Sequence, residues 1–316
     1  MATKSLRLRV ATGGSTLPAA VVIAILSWLV PAPTGSARWI GLAVTGVAAY
    51  VMVECNNRNA LLRVRSRMTT ASFLALTAAC PFLHDWTAAM GAVPALLLAV
   101  TLIFATYQQP RAEGITFYAF LCLSLGSFGF PALLVLVPFL WLSMLVHLRS
   151  LTGRSFLASL LGLALPYWGY AGWAAWSNRL DTAFSWFAPW FRIVPPDYAA
   201  IPPLRLAALG LLLLLVVPAM VHFWHTAYND KIRTRMLYHT LVLIELALWA
   251  LLALRPDWHD ALLRLLLASS APFIGHHFAL ARGRFMDVWF IVCLALLALL
   301  AAADYLLPWM LSTTCS

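Results

Sequence analysis

The sequence predicts an all-α protein whose helices cross a membrane many times. Of its 316 residues, 63% are hydrophobic and only 10% are charged, a balance far from that of soluble globular domains. Long apolar stretches alternate with short polar connections, and a bilayer core about 30 Å thick needs roughly 20 helical residues per crossing. The stretches lack the polar residue at every second position that a membrane β-barrel would show. We therefore predict one integral membrane domain over residues 1–316.

Eleven apolar stretches predict about eleven spans. The apolar run over residues 115–148 is too long for one crossing, so we divide it at Gly129-Phe130-Pro131, where proline interrupts the helix. The predicted spans are 17–31, 39–54, 68–84, 88–107, 115–130, 131–148, 156–176, 204–224, 236–254, 261–281 and 286–307.

Basic residues predict the orientation of these spans. The chain carries 21 Lys and Arg against 11 Asp and Glu, and most of the basic residues fall on alternate connections, beginning with the N-terminal segment. Because Lys and Arg concentrate in cytoplasmic loops, we predict a cytoplasmic N-terminus and an external C-terminus. A nucleic-acid-binding protein would instead gather its basic residues on one folded surface, so no nucleic-acid partner is predicted. We expect a multi-pass protein of the bacterial inner membrane.

Two basic loops are alike and suggest an internal duplication. Residues 63–68 and 231–236 both carry alternating basic residues immediately before an apolar stretch. They lie six predicted spans apart, an even number, as a parallel repeat requires. The predicted half-repeats are 17–130 and 156–307, joined by span 131–148. The alternative is chance similarity, since basic loops and apolar helices resemble one another in composition.

Three ionisable residues inside the predicted spans form a candidate intramembrane polar site, because charge is costly there and each residue needs a partner. Glu245 lies deepest, level with Ser269 and Ser270 on the next predicted span. A protonated Glu245 bonded to a serine would be a satisfied structural contact, and a proton-relay or substrate-contact role is the alternative. Arg264 and Asp304 lie at similar depths near the outer ends of their spans, so we predict that they pair.

A second candidate site is a polar cluster at the predicted inner face, which we call the basic cluster. Basic side chains at this level attract anionic lipid headgroups and also enforce orientation. The cluster therefore predicts membrane lipids with anionic headgroups as partners, and the sequence does not identify any protein partner. Its members are Glu54, Asn57, Arg58, Arg63, Arg65, Arg67, Lys231, Arg233 and Arg235.

No metal and no cofactor are predicted. Five cysteines are scattered without a CxxC motif or the spacing of metal ligands. His222 and His225 share a helix face, but histidines at the ends of membrane helices commonly lie at the headgroup level without a ligand. The sequence also lacks a P-loop, a nucleotide-binding glycine motif, HExxH and GxSxG. ATP hydrolysis, zinc proteolysis and lipase-type catalysis therefore have no sequence support.

Four short motifs stand out in the basic connections and the later helices. They are Arg65-Ser66-Arg67-Met68, Asn229-Asp230-Lys231-Ile232-Arg233-Thr234-Arg235, Phe273-Ile274-Gly275-His276-His277-Phe278 and Arg282-Gly283-Arg284-Phe285. With these motifs the chain resembles a family of polytopic bacterial inner-membrane proteins of unknown function, over nearly its whole length. The resemblance implies an inner-membrane location and no particular reaction, substrate or cofactor.

Three functions remain open. The first is a transporter or flippase-like protein for a small or lipid-linked substrate in envelope biogenesis, favoured by compactness, the possible duplication and Glu245. The second is a glycosyl- or phosphotransferase for a lipid-linked sugar, favoured by outer carboxylates such as Asp85 and Asp257 and by the aromatic connection 177–203. Such enzymes usually need larger outer domains. The third is a non-catalytic assembly partner. We rank the functions in this order and leave open whether the protein is an enzyme.

Overall fold

The computed structural model describes residues 6–30, 35–64, 66–183, 185, 187 and 194–314, and the side chains of all of these except 181, 182 and 307–314. The chain is 82% helix, and the described residues include no strand, which confirms the all-α prediction. Arg65 of the basic cluster and residues 184, 186 and 188–193 of the aromatic connection lie outside the described residues.

The helices differ widely in length. The α-helices are α1 (Leu6–Thr12), α2 (Thr16–Leu29), α3 (Ser36–Asn59), α4 (Met68–Ala78), α5 (Ala92–Ala105), α6 (Glu113–Ser127), α7 (Leu136–Val146), α8 (Gly153–Trp176), α9 (Leu180–Ala183), α10 (Pro203–Thr226), α11 (Ile232–Leu254), α12 (His259–Leu280) and α13 (Arg284–Thr314). Short 3₁₀ helices occupy Pro81–Leu83, Ala88–Gly91, Pro131–Val135, Ala227–Asn229 and Pro256–Trp258.

Several helices are long and apolar enough to cross a membrane, which indicates a membrane protein. Within the described ranges these are five segments, Ser36–Asn59, Ala88–Ala105, Pro203–Asn229, Ile232–Leu254 and Arg284–Leu306. α1 and α2 would add a sixth if they formed one crossing, but they meet at a bend of 96°. The predicted count of eleven spans is therefore not confirmed.

The predicted span 68–84 departs most clearly from a continuous crossing. α4 is only 11 residues long, about 16 Å of helix, against a bilayer core of about 30 Å. Proline disfavours helical backbone in the residue before it, and Cys80, before Pro81, has φ −120° and ψ 68°. The helix therefore ends early, and a buried connection through Leu83 and His84 follows it.

The predicted break between the spans 115–130 and 131–148 is confirmed. α6 ends at Ser127, and Pro131 opens a 3₁₀ helix that leads into α7. Gly129 is required at this turn, because a Cβ atom there would lie 2.1 Å from the carbonyl oxygen of Ala88. The turn thus packs directly against the backbone that precedes α5.

α12 lies at the centre of the bundle. Every residue from Leu262 to Ala279 is buried, and the helix packs against α4, α5, α10 and α11. α4 comes closest, because Gly275 has no side chain: a Cβ atom there would lie 2.7 Å from both the Cα and the N atoms of Thr69. Polar groups on α12 are consequently shielded from lipid and must find partners inside the protein.

The two ends of the bundle differ in charge. One end, which we call the basic end, contains α1, the loop 60–67, the turn 227–231 and the C-terminus of α12. α1 is fastened there by buried Arg7, whose Nε lies 2.8 Å from Asp287 Oδ1 and whose Nη1 donates to the Phe278 carbonyl at 3.0 Å. The opposite end carries the connections 79–87 and 255–258.

The predicted half-repeats 17–130 and 156–307 stay a prediction. The equivalent helices have different neighbours, since α5 packs mainly against α6, whereas its counterpart α12 packs mainly against α4, α10 and α11. The packing of the helices therefore adds no support to the duplication.

Candidate functional site

Glu245 lies in the middle of α11, with its side chain completely buried. Its Oε1 atom accepts hydrogen bonds from Trp249 Nε1 at 2.9 Å and from Ser270 Oγ at 2.6 Å. Its Oε2 atom accepts a hydrogen bond from Ser269 Oγ. The predicted contact between Glu245 and the two serines is therefore present. Within the described residues, no basic side chain makes a hydrogen bond or an ion pair with this carboxyl group.

The partners of Glu245 suit both protonation states of its carboxyl group. An ionised carboxylate only accepts hydrogen bonds, and here it has three donors. A protonated carboxyl must donate one hydrogen bond, and a serine hydroxyl can accept it by rotating, because a hydroxyl both donates and accepts. Trp249 can only donate. The two serines therefore allow a proton to bind and leave without stranding a buried polar group.

A small cavity adjoins this group, mainly between α3, α5, α11 and α12. It measures about 20 Å³ and is lined by residues that include Ser269, Thr69 and Pro272. The buried hydroxyl of Thr69 has no hydrogen-bond partner among the described residues. A water molecule needs about 10–15 Å³ and at least two polar partners. The cavity has room for one water, although most of its lining is apolar.

Arg264 lies on α12 between Ser269 and the end of the bundle opposite the basic end. Its Nη2 atom donates to the Leu83 carbonyl at 3.2 Å. The predicted ion pair between Arg264 and Asp304 is not formed, because the connection Pro81–Leu83 lies between the two side chains: it contacts Arg264 through Leu83 and Asp304 through the backbone of Phe82. Similar depth along two helices did not make their side chains neighbours.

Buried polar groups thus lie at several depths along α12, which we call polar levels: Arg264 is the first, and Glu245 with its two serines is the second. Asp230 is the central residue of the third, at the basic end. Its side chain is completely buried, and its Oδ1 atom lies 2.8 Å from Arg63 Nε, whose side chain is 34% exposed. Its Oδ2 atom lies 3.3 Å from Nε2 of His276, which is buried on α12. An ion pair thus joins the loop after α3 to the turn before α11, and the histidine joins both to α12.

Sequence reasoning did not select Asp230. In sequence it is one charge in a polar loop, Asn229-Asp230-Lys231, and such charges usually lie in solvent. The structure turns it inward because a 3₁₀ turn ends α10 and the Asp230 amide donates to the Ala227 carbonyl at 2.9 Å. The available signal was that Asp230 is the sole acidic residue between Thr226 and Arg235.

Tyr238 bridges part of the distance between the two lower levels. Its hydroxyl donates to the Pro272 carbonyl at 3.3 Å, and its ring centroid lies 5.2 Å from that of His276. Ser270 and His276 are six residues apart on α12, about 9 Å along the axis. α12 therefore presents polar groups at three depths, with a tyrosine between the lower two.

The structure brings the two loops of the basic cluster together, but some side chains of the cluster form ion pairs or hydrogen bonds within the protein. Arg63 pairs with Asp230, as described above, and Arg58 pairs with Glu54. Arg233 Nη2 donates to Asn59 Oδ1 at 3.0 Å. The side chains of Asn57, Arg67 and Lys231 are exposed and that of Arg235 is half-buried.

The carboxylates at the opposite end are ion-paired or solvated. Asp257 Oδ2 lies 2.8 Å from Arg255 Nη2, and the hydrogen bond from Arg255 holds the pKa of Asp257 below its usual range. Asp260 Oδ1 lies 3.2 Å from Arg205 Nε, and Asp85 is exposed. A carboxylate held ionised by an arginine is a weak general base.

Three histidines meet at the basic end without forming a metal site. The ring centroid of His222 lies 4.8 Å from that of His277 and 5.8 Å from that of His276. No group of three His, Cys, Asp or Glu side chains in the described part of the chain has a geometry that could hold a metal ion.

Comparison of the chain with family models, with curated proteins and with solved structures gave no significant match. The resemblance to an inner-membrane family therefore stays a prediction, and function has to be argued from the site itself.

Proposed function

We propose that the protein is a proton-coupled transporter, or a flippase-like protein, for a small or lipid-linked substrate. The observation that carries this proposal is the environment of Glu245. Its carboxyl group is completely buried, has no basic partner in the described residues, and is surrounded by hydroxyl groups that suit both of its protonation states. Ionisable residues at this depth in membrane proteins commonly belong to proton relays or substrate pathways.

The polar levels of α12 support a route for the proton. Arg264, the serines bonded to Glu245, and His276 with Asp230 follow one another along the central helix. A cavity of about 30 Å³ beside Arg264 and His84 and one of about 20 Å³ beside Ser269 each have room for a water molecule. Side-chain rotation and single waters would pass a proton between these levels.

The predicted orientation completes the proposal. The basic end would face the cytoplasm of a bacterial cell, because Lys and Arg concentrate on that side of an inner membrane. We keep eleven crossings as the proposed topology, with α4 and the buried connection 79–84 together forming one of them. The proton would then move between the external end, at the depth of Arg264, and the internal end, at the depth of Asp230, while Arg264 itself keeps its proton.

The alternative functions have weaker support. A transferase would need an accessible base, and the carboxylates at the proposed external end are ion-paired or solvated. A purely structural assembly partner would need only the protonated Glu245 as a satisfied contact with a serine, whereas the hydroxyl partners here also suit the ionised form.

The variant Glu245→Gln tests the proposed function in cells. Glutamine keeps the size and most hydrogen bonds of Glu245 but cannot release a proton, so we expect normal abundance of the protein and loss of function. The measurement compares lipids and metabolites of a deletion strain carrying the wild-type gene, Glu245→Gln, or the matched control Glu113→Gln, a change at the start of α6. We expect the deletion profile with Glu245→Gln and the wild-type profile with Glu113→Gln. A wild-type profile with Glu245→Gln would overturn the proposal.

A further inference from the structure

A mostly apolar recess near the basic end lies between α2 and the central helices, and we call it the α2 groove. Its volume is about 350 Å³, within the range of roughly 300–1,000 Å³ typical of small-molecule pockets. The walls come from α1, α2, α4, α10, α12 and α13, and most of the lining is apolar, including Ile23, Leu76, Phe290 and Leu297. The groove therefore contacts six helices, and it is partly open to the outside of the bundle.

The α1 end of this groove is polar and cationic. Arg9, Ser15 and Thr16 line it there, and none of the residues that line the groove is acidic. Arg7, two residues earlier on α1, is bonded to Asp287. Arg9 has five guanidinium donors and can bind a further anion beside its contacts within the protein. The groove is therefore amphiphilic, with an apolar body and a basic end.

The bend between α1 and α2 places a second basic residue near the same end. A separate hollow on the other face of α2 is lined by Gly13, Gly14, Leu17 and the exposed Arg67. Two arginines thus flank the point where the chain turns by 96°. Basic recesses between helices at the cytoplasmic side of membranes commonly bind anionic lipid headgroups.

We propose that the α2 groove binds a membrane lipid with an anionic phosphate headgroup, the acyl chain lying in the groove and the phosphate bound by Arg9. This proposal does not depend on Glu245 or on transport. It also differs from the site predicted by the sequence, because Arg9, which would bind the phosphate, is not a member of the basic cluster.

Lipid binding by the purified full-length chain tests this proposal. Native mass spectrometry would measure the dissociation constants of phosphatidylglycerol and of phosphatidylcholine with the same acyl chains. We expect Arg9→Gln to weaken phosphatidylglycerol binding about fivefold, the effect of one basic residue near a membrane surface, and to leave phosphatidylcholine binding unchanged. Arg9→Lys should retain most of the preference for the anionic lipid.

A second pair of variants tests the groove rather than the charge. Leu297→Trp would fill the groove and weaken the binding of both lipids. Leu299→Trp, on the exposed face of the same helix, should leave the binding of both lipids unchanged. Unchanged phosphatidylglycerol affinity in Arg9→Gln, or equal affinities in Leu297→Trp and Leu299→Trp, would overturn the proposal. These readouts concern binding alone, so their failure would leave the test of Glu245 unaffected.

Discussion

Replacing Gly275 with alanine is expected to destabilise the bundle strongly, because the new methyl group would collide with the backbone of α4. Its Cβ atom would lie 2.7 Å from the Cα and N atoms of Thr69 and 3.0 Å from the carbonyl carbon of Met68. Backbone atoms cannot rotate away as a side chain can, so the two central helices must separate. Overpacking of this kind typically costs about 1–3 kcal/mol, and we expect the upper part of that range. The measurement is thermal unfolding in detergent.

Gly210→Ala on α10 is the matched control for this prediction. A Cβ atom at Gly210 would meet no heavy atom within 4 Å, and alanine favours a helix over glycine by about 1 kcal/mol. We therefore expect an unfolding temperature equal to or above that of the wild type. If Gly275→Ala and Gly210→Ala unfolded at the same temperature, the close crossing of α4 and α12 would be wrong.

The second large effect is expected for Asp230→Asn. The change removes the charge that balances Arg63 and weakens the contact with His276. Removing one member of a fully buried ion pair typically costs about 3–5 kcal/mol. Because the Arg63 side chain is 34% exposed, solvent reduces the penalty, and we expect a loss of about 2–3 kcal/mol in the free energy of unfolding.

A double-mutant cycle identifies the source of that loss. Arg63→Gln combined with Asp230→Asn should be less destabilising than the sum of the single changes. Once one charge of the pair is removed, removing the other breaks no further ion pair. Asp257→Asn serves as the control, because the Asp257 side chain is 48% exposed, and ion pairs in contact with solvent contribute about 1 kcal/mol or less. Strict additivity of Arg63→Gln and Asp230→Asn would contradict the ion pair between the two side chains.

Several elements could be predicted from the sequence because they depend on local chemistry. Pro131 after Gly129 marks the break between α6 and α7, and the depth of Glu245 matches that of Ser269 and Ser270. The centre of the bundle could not be predicted in the same way. Membrane helices are apolar on every face, so the pattern does not distinguish α12 from a peripheral helix such as α13.

The sequence pattern predicted a pair between Arg264 and Asp304 that is not formed, and sequence reasoning did not select Asp230. Both errors have one cause, which is the path of the connections between helices. The segment 79–84 folds into the bundle and separates Arg264 from Asp304, and the turn at 227–230 directs Asp230 inward. Neither path follows from hydropathy, because both segments are short and their hydrogen bonds are made with distant parts of the chain. Depth along the spans therefore identified the neighbours of Glu245 correctly but the neighbour of Arg264 wrongly.

Infrared difference spectroscopy of Glu245 tests the central claim most directly, since it needs no knowledge of the substrate. Spectra of the purified protein in acidic and in alkaline buffer would be subtracted and compared between wild type and Glu245→Gln. We predict that the wild type shows a carbonyl-stretch band of a buried protonated carboxyl group, that the band is absent in Glu245→Gln, and that Ser269→Ala shifts it. Identical difference spectra for wild type and Glu245→Gln would contradict proton exchange at this residue.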